Sequence, residues 1–141
     1  MSDRGEFFED IEVGAHAPAR EHRLTRTDLV MYAGASQDYN PLHHDDTKAQ
    51  AAGMPSVFGH GMFSAGLLAT ALTDYVGIGN LRRFQVRFTR QSWPGDVLST
   101  EIVVRSKDET ERLVELDCRL LSDSGAVVVE GSATAAPHRR P

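Results

Sequence analysis

The sequence has a single cysteine, Cys118, which rules out an internal disulfide and leaves no Cys-Cys pair of the kind that builds a structural zinc motif. Long apolar runs are missing as well. The chain begins Met1-Ser2-Asp3-Arg4-Gly5-Glu6 without a hydrophobic signal core, and its most apolar later stretch is short and carries Thr70 and Asp74. Neither a secretion signal nor a membrane span is therefore expected, and a reducing, cytoplasmic setting fits the lone thiol. Positive charge is not in excess: the formal net charge of -5 gives no general attraction for nucleic acid or an anionic membrane, although a local basic patch remains compatible with it. No internal repeat, linker or low-complexity segment divides the chain. With 141 residues, 40% hydrophobic and 25% charged, it has the size and balance of a single domain over 1–141 with a substantial core. Residues 1–5 and 137–141 are expected to be flexible ends.

The periodicity of apolar residues divides the chain into a helical first part and a strand-rich second part. Phe7, Phe8, Ile11 and Val13 are suited to pack an N-terminal arm onto the body. A short strand is expected from Ala19 to Leu24. Thr25 followed by Asp28 then has the spacing of a capping box, opening a helix to about Ser36 with Leu29, Val30, Tyr32 and Ala33 as core contacts. Pro41 disfavours helix at Asn40, so the run Asp38–Asp45 reads as a turn, with a short helix following from about Thr47 to Ala52. From Met62 to Val76 apolar residues cover nearly every side of a helix, and Gly77 and Gly79 stand where it should end. After Asn80 the period becomes two. Phe84, Val86 and Phe88, then Ile102 and Val104, then Val114, Leu116, Cys118 and Leu120 alternate with polar residues, and Asp123-Ser124-Gly125 turns into a last strand over 126–135. Cys118 falls on the apolar side, as a buried inert thiol would. An α+β fold follows, in which an antiparallel sheet with one apolar face wraps a long helix that is apolar all round.

The chemistry is concentrated in the stretch SQDYNPLHHDDTKAQAAGMPSVFGHGM, from Ser36 to Met62. Asp38 and His43 flank an Asn40-Pro41 turn, and His60-Gly61 opens the long helix. Together they offer an acid, a base and a helix N-terminus, the parts needed for proton transfer next to a carbonyl that becomes negatively charged. Each has an ordinary reading too: Asp38 as a turn cap, Asn40 and Pro41 as turn formers, a loop histidine as polar surface. His44, Asp45 and Asp46 invite a metal site with His43 and His60. Adjacent side chains of an extended segment diverge, however, so no metal is assigned.

The ordered run DYNPLHHD, FGHGM and FTRQSWPGD (Phe88–Asp96) resembles the MaoC-like family of R-specific enoyl-thioester hydratases and 3-hydroxyacyl dehydratases. LTRTDLVMYAG leading into the first motif is also similar to the catalytic subunit of the mycobacterial hydroxyacyl-carrier-protein dehydratases. The resemblance runs from about Leu24 to Asp96 as a string of motifs and more loosely through the later strands. The ordered combination is specific, whereas Pro94-Gly95-Asp96 alone describes an ordinary turn. One departure is Gln37, which stands where many members carry glycine.

The resemblance implies a hot-dog fold working as a homodimer or as a heterodimer with another hot-dog subunit. It implies a lyase that interconverts trans-2-enoyl and (R)-3-hydroxyacyl thioesters of coenzyme A or acyl carrier protein in fatty-acid metabolism. Asp38 and His43 match the catalytic pair, without a division of acid from base between them, and the Gly61 N–H matches the oxyanion donor. Asn40 shapes the loop, and Asn40, His60 and Met62 fall in the substrate-binding surround. Met62, Phe63 and Leu67 are core residues first and lining of an acyl tunnel second. No metal or organic cofactor is called for. Arg82, Arg83, Arg87 and Arg90 suit either a solvated strand face or the phosphates and acidic surface of the acyl carrier, and Trp93 suits a dimer edge. A hot-dog thioesterase and an acyl-thioester-binding subunit of a heterodimeric dehydratase are the alternatives. The intact pair argues against a purely supporting subunit.

Overall fold

A computed structural model describes residues 4–141. Helix formation begins where the capping box places it. The Thr25 hydroxyl accepts from the Asp28 N–H at 3.1 Å, the Asp28 carboxylate accepts from the Thr25 N–H at 2.7 Å, and α1 runs Arg26–Ser36. A 3₁₀ turn over Pro41–His43 and the short α2, Asp46–Ala51, carry the chain to α3, Gly61–Val76. Gly77, at φ 95°, ends α3 in a conformation that favours glycine. The strands are β1 (Glu21–Arg23), β2 (Leu81–Phe88), β3 (Val97–Asp108), β4 (Leu113–Ser122) and β5 (Val127–Ala135). They form a five-stranded antiparallel sheet in the order β1-β3-β4-β5-β2.

The sheet curls over α3, as expected for the hot-dog arrangement. Leu68, Leu72 and Val76 of the helix are fully buried in one cluster with Ile102, Val104, Leu116, Cys118, Leu120 and Val129 from the strands. Removing each large aliphatic side chain from water contributes about 1.5–3 kcal/mol, which makes this contact the main cement of the fold. Burial pushes the Cys118 thiol up to about 11, with Asp117 adding to the shift, so it stays an unreactive core group.

The helix is less enclosed than its composition suggests. Its buried residues form one stripe, Ser64, Ala65, Leu68, Ala71, Leu72, Tyr75 and Val76, whereas Met62 is 61% exposed. Met62 is thus not a core residue: the sheet covers one side of α3, and Met62 lies off that side. Val30 of α1 also departs from its expected core position, being 63% exposed while Leu29 and Ala33 face inward. Of the N-terminal arm, Phe8 and Ile11 are buried and Val13 is exposed.

Where they are described, the ends make contacts with the body; residues 1–3 lie outside the described residues. Glu6 N–H donates to the Tyr75 C=O at 2.8 Å, and Gly5 lies so close to Gly77 that a Cβ on it would come within 2.2 Å of the Gly77 nitrogen. The tail runs back along the N-terminal turn. Phe8 N–H donates to the His138 C=O at 2.8 Å, and Arg140 N–H donates to the Glu9 carboxylate at 3.0 Å. Among the described residues no helix is long and apolar enough to cross a membrane.

Candidate active site

The loop after α1 is shaped by short polar side chains bonding their own backbone. Gln37 closes α1 in the left-handed conformation, φ 59° and ψ 23°, which explains why glycine suits this position. Asp38 Oδ1 accepts from Asn40 N–H at 3.3 Å, Asn40 Oδ1 accepts from Leu42 N–H at 3.1 Å, and His43 N–H donates to the Asn40 C=O at 3.0 Å. Asn40 therefore builds the turn that lifts His43 toward Asp38.

His43 is buried and its orientation is fixed. Its Nδ1 lies 2.7 Å from the Phe58 C=O, and because a carbonyl only accepts, Nδ1 carries the proton in that contact. The other nitrogen, Nε2, is then the basic atom, and it lies 3.9 Å from Asp38 Oδ2. That distance exceeds a direct hydrogen bond and is short enough for one water to bond both atoms. The Asp38 side chain is half exposed, at 50%, so the pair joins a dry base to a solvent-reachable carboxylate.

His60 locks this pair to the start of α3. Its Nε2 donates to the Asp38 C=O at 3.2 Å, and its ring stacks on His43 at 3.8 Å between centroids, with Tyr32 edge-on at 4.9 Å. Burial holds the His60 imidazole below its ordinary pKa, opposed by the Asp38 carbonyl and reinforced by the neighbouring His43. A neutral His60 fits its role as a strut. Its Nδ1 is buried without a partner among the described residues.

The Gly61 N–H, the first of α3, likewise has no hydrogen-bond partner among the described residues. A Cβ at Gly61 would meet the Phe88 ring at 3.1 Å, so glycine lets that half-exposed ring cover the helix start. The segment containing FTRQSWPGD braces the turn from behind. Gly59 N–H donates to the Ser92 C=O at 2.8 Å, a Cβ on Gly59 would come 2.3 Å from Ser92 Oγ, and Trp93 packs edge-on against Phe58 at 5.9 Å. Trp93 is thus placed behind the histidine anchor in this chain.

A cavity of about 240 Å³ begins at Phe58, Gly59 and Gly61 and continues past Ser64, Phe88 and Ser92. Asp38 and His43 are not among its lining residues; they meet the start of α3 through His60. A larger concavity, about 740 Å³, is elsewhere: it lies on the outward face of the sheet among Arg83, Arg87, Glu101, Asp117, Arg119 and Glu130. Its charges pair with one another, Arg87 with Glu130 and Arg119 with Glu101, and it touches none of the groups just described.

The remaining candidates take structural places. Asp45 caps α2 by accepting from Thr47 and Lys48 N–H groups, Asp46 accepts from Val57 N–H and pairs with Arg26 at 3.0 Å, and His44 is exposed. Met62 stands in the first turn of α3, exposed beside Gly61. Arg82 bonds the Gly79 C=O and Arg87 pairs with Glu130, whereas Arg90 lines the cavity. Asp38, His43 and His60 form a set whose ligand atoms lie within 4.8 Å of one another, close enough for a metal ion. The two imidazoles are stacked with only 26° between their planes, however, so their in-plane lone pairs run side by side rather than converging on one point. Phe58 and Ser64 escaped the sequence reading, the first because it acts through its backbone carbonyl and the second because it sits in an apolar helix.

A model of the family described as MaoC-like domain matches residues 11–125. The (R)-specific enoyl-CoA hydratase of Rhodospirillum rubrum is 30% identical over 132 residues, covering 91% of this chain and 89% of that protein. The 3-hydroxyacyl-thioester dehydratase Y of Mycobacterium tuberculosis is 38% identical over 91 residues, covering 62% of this chain and 31% of that protein. Among solved structures, the unliganded R-hydratase of Pseudomonas aeruginosa superposes with a TM-score of 0.87 at 28% identity, covering 94% of this chain and 86% of that one.

Proposed function

The chain belongs to the family of MaoC-like domains, and from that premise we propose how it acts as a hydratase/dehydratase: Asp38 and His43 add water across the double bond of a 2-enoyl thioester, and Gly61 receives the charge. The observation that carries this reading is the fixed tautomer of His43. With Nδ1–H held by the Phe58 carbonyl, Nε2 presents a lone pair 3.9 Å from the Asp38 carboxylate. A water oxygen between them is within reach of both groups. As that oxygen bonds C3, Nε2 takes its proton and the π electrons move toward the thioester oxygen. The protonated Nε2 then returns the proton to C2, and the thioester carbonyl re-forms. Asp38 orients the water and stabilises the imidazolium while it exists, and the Gly61 N–H with the positive end of the α3 dipole stabilises the oxyanion. The reverse sequence removes water from an (R)-3-hydroxyacyl thioester.

The acyl group reaches the site as a thioester of coenzyme A or acyl carrier protein, and the working unit is a homodimer or a heterodimer with another hot-dog subunit. What supports the pairing is the uncovered apolar surface at one end of the molecule. Met62 is 61% exposed, Phe88 is 50% exposed, and β2, which carries Phe88, occupies an edge of the sheet. Incubation of the purified protein with crotonyl-coenzyme A tests the reaction class. Loss of enoyl absorbance with the thioester bond intact is the expected result; free thiol released from crotonyl- or butyryl-coenzyme A without hydration points to the thioesterase instead.

A further inference from the structure

A hydroxyl inside a helix ordinarily bonds a carbonyl about one turn back. Ser36 does so on the Tyr32 C=O at 2.6 Å, Thr70 on the Gly66 C=O at 2.9 Å and Thr73 on the Thr70 C=O at 3.1 Å. Ser64 does not. Its residue is 1% exposed, its Oγ has no hydrogen-bond partner among the described residues, and the His60 C=O one turn back accepts only the N–H groups of Phe63 and Ser64. A buried unpaired hydroxyl destabilises a fold, and alanine would fill the same place without that cost. The oxygen is therefore held for something that arrives.

Its position says what that is. Ser64 follows Gly61 by three residues, so the two lie on the same side of α3, and helical side chains lean toward the N-terminus, here toward the Gly61 amide. Both residues line the cavity of about 240 Å³ that Phe58, Phe88 and Ser92 enclose. An N–H and an O–H without partners among the described residues thus belong to two residues that line one space, at the positive end of a helix of 16 residues. We propose that Ser64 is a second oxyanion donor, giving its hydroxyl hydrogen bond to the thioester oxygen beside the Gly61 N–H; this rests on the thioester reaction proposed above. The hydroxyl neither gains nor loses its proton. Its bond strengthens as the carbonyl oxygen becomes negative, so its effect belongs to the transition state more than to the ground state.

The test compares the unsubstituted protein with Ser64→Ala, using crotonyl-coenzyme A for kinetics and butyryl-coenzyme A labelled with ¹³C at the thioester carbon for infrared difference spectra. Ser64→Ala is expected to lower kcat on the order of 10²-fold while KM changes little, to keep or raise the thermal midpoint, and to shift the bound carbonyl stretch back toward its solution frequency. Full kcat in Ser64→Ala overturns the proposal, as does a fall in kcat accompanied by a lower thermal midpoint and an unmoved carbonyl stretch, the pattern of a merely structural serine. An unsubstituted protein that fails to hydrate any enoyl thioester overturns the reaction assignment itself, and this proposal with it.

Discussion

Gln37 shows how a single residue records the constraint placed on the loop that carries Asp38 and His43. It adopts φ 59° because the chain must leave α1 sharply enough to bring Asp38 back under His60. A non-glycine residue in this region pays roughly 1–2 kcal/mol, offset by the roughly 0.5–1 kcal/mol that glycine loses in chain entropy. Gln37→Gly is accordingly expected to raise the unfolding free energy by up to about 1 kcal/mol, read by denaturant titration. The motif positions around it made this loop legible: Asp38, Asn40 and His43 stand together as their spacing and resemblance implied. The Phe58 carbonyl that fixes the His43 tautomer was not legible, because a backbone oxygen has the same chemistry in every residue and only folding brings it within 2.7 Å of the ring. Ser64 was hidden differently, by an apolar helix in which a small hydroxyl passes for core.

At the scale of elements, the turn before α3 positions the start of the helix within the candidate site. Gly59 lies against Ser92, itself 2% exposed, and an added methyl would come 2.3 Å from Ser92 Oγ and 3.1 Å from Leu24 Cδ2. Gly59→Ala must move either the brace or the turn that carries His60 and Gly61. We expect it to cost about 1–3 kcal/mol of stability and to lower kcat tenfold or more, since small displacements of a catalytic group are expensive. Thermal unfolding and steady-state hydration of crotonyl-coenzyme A read the two effects separately. The capping box of α1 and the end of α3 at Gly77 were both visible in the sequence, because caps depend on local side chains and backbone preference. The exposed side of α3 was not. Periodicity reports which residues are apolar, and the sheet of this chain alone covers only one stripe of them.

At the scale of the whole molecule, core and candidate site share α3, so conditions that disturb one disturb the other. His60 makes this testable through pH. Burial depresses its pKa below the ordinary 6.5, so the unfolded chain takes up this proton more readily than the folded one. Above pH 6.5 both states leave the ring neutral and its contribution is fully present; as pH falls below 6.5 the unfolded state gains by protonation and stability drops until the folded-state pKa is passed. Urea unfolding between pH 7.5 and about 5 should show that decline, with a smaller slope in His60→Gln. The alternation of the later strands and the apolar long helix were enough to give the wrapped α+β architecture, since burial of both surfaces has few other solutions. The proposed function rests on a narrower base, the pair Asp38 and His43 held against His60 at the start of that helix. Its most direct test is the hydration rate of crotonyl-coenzyme A by the unsubstituted protein, Asp38→Ala and His43→Ala, each checked for an unchanged fold. The account predicts a fall in kcat of roughly 10²–10⁴-fold in each variant, the range general acid–base groups supply; full activity in both variants contradicts it.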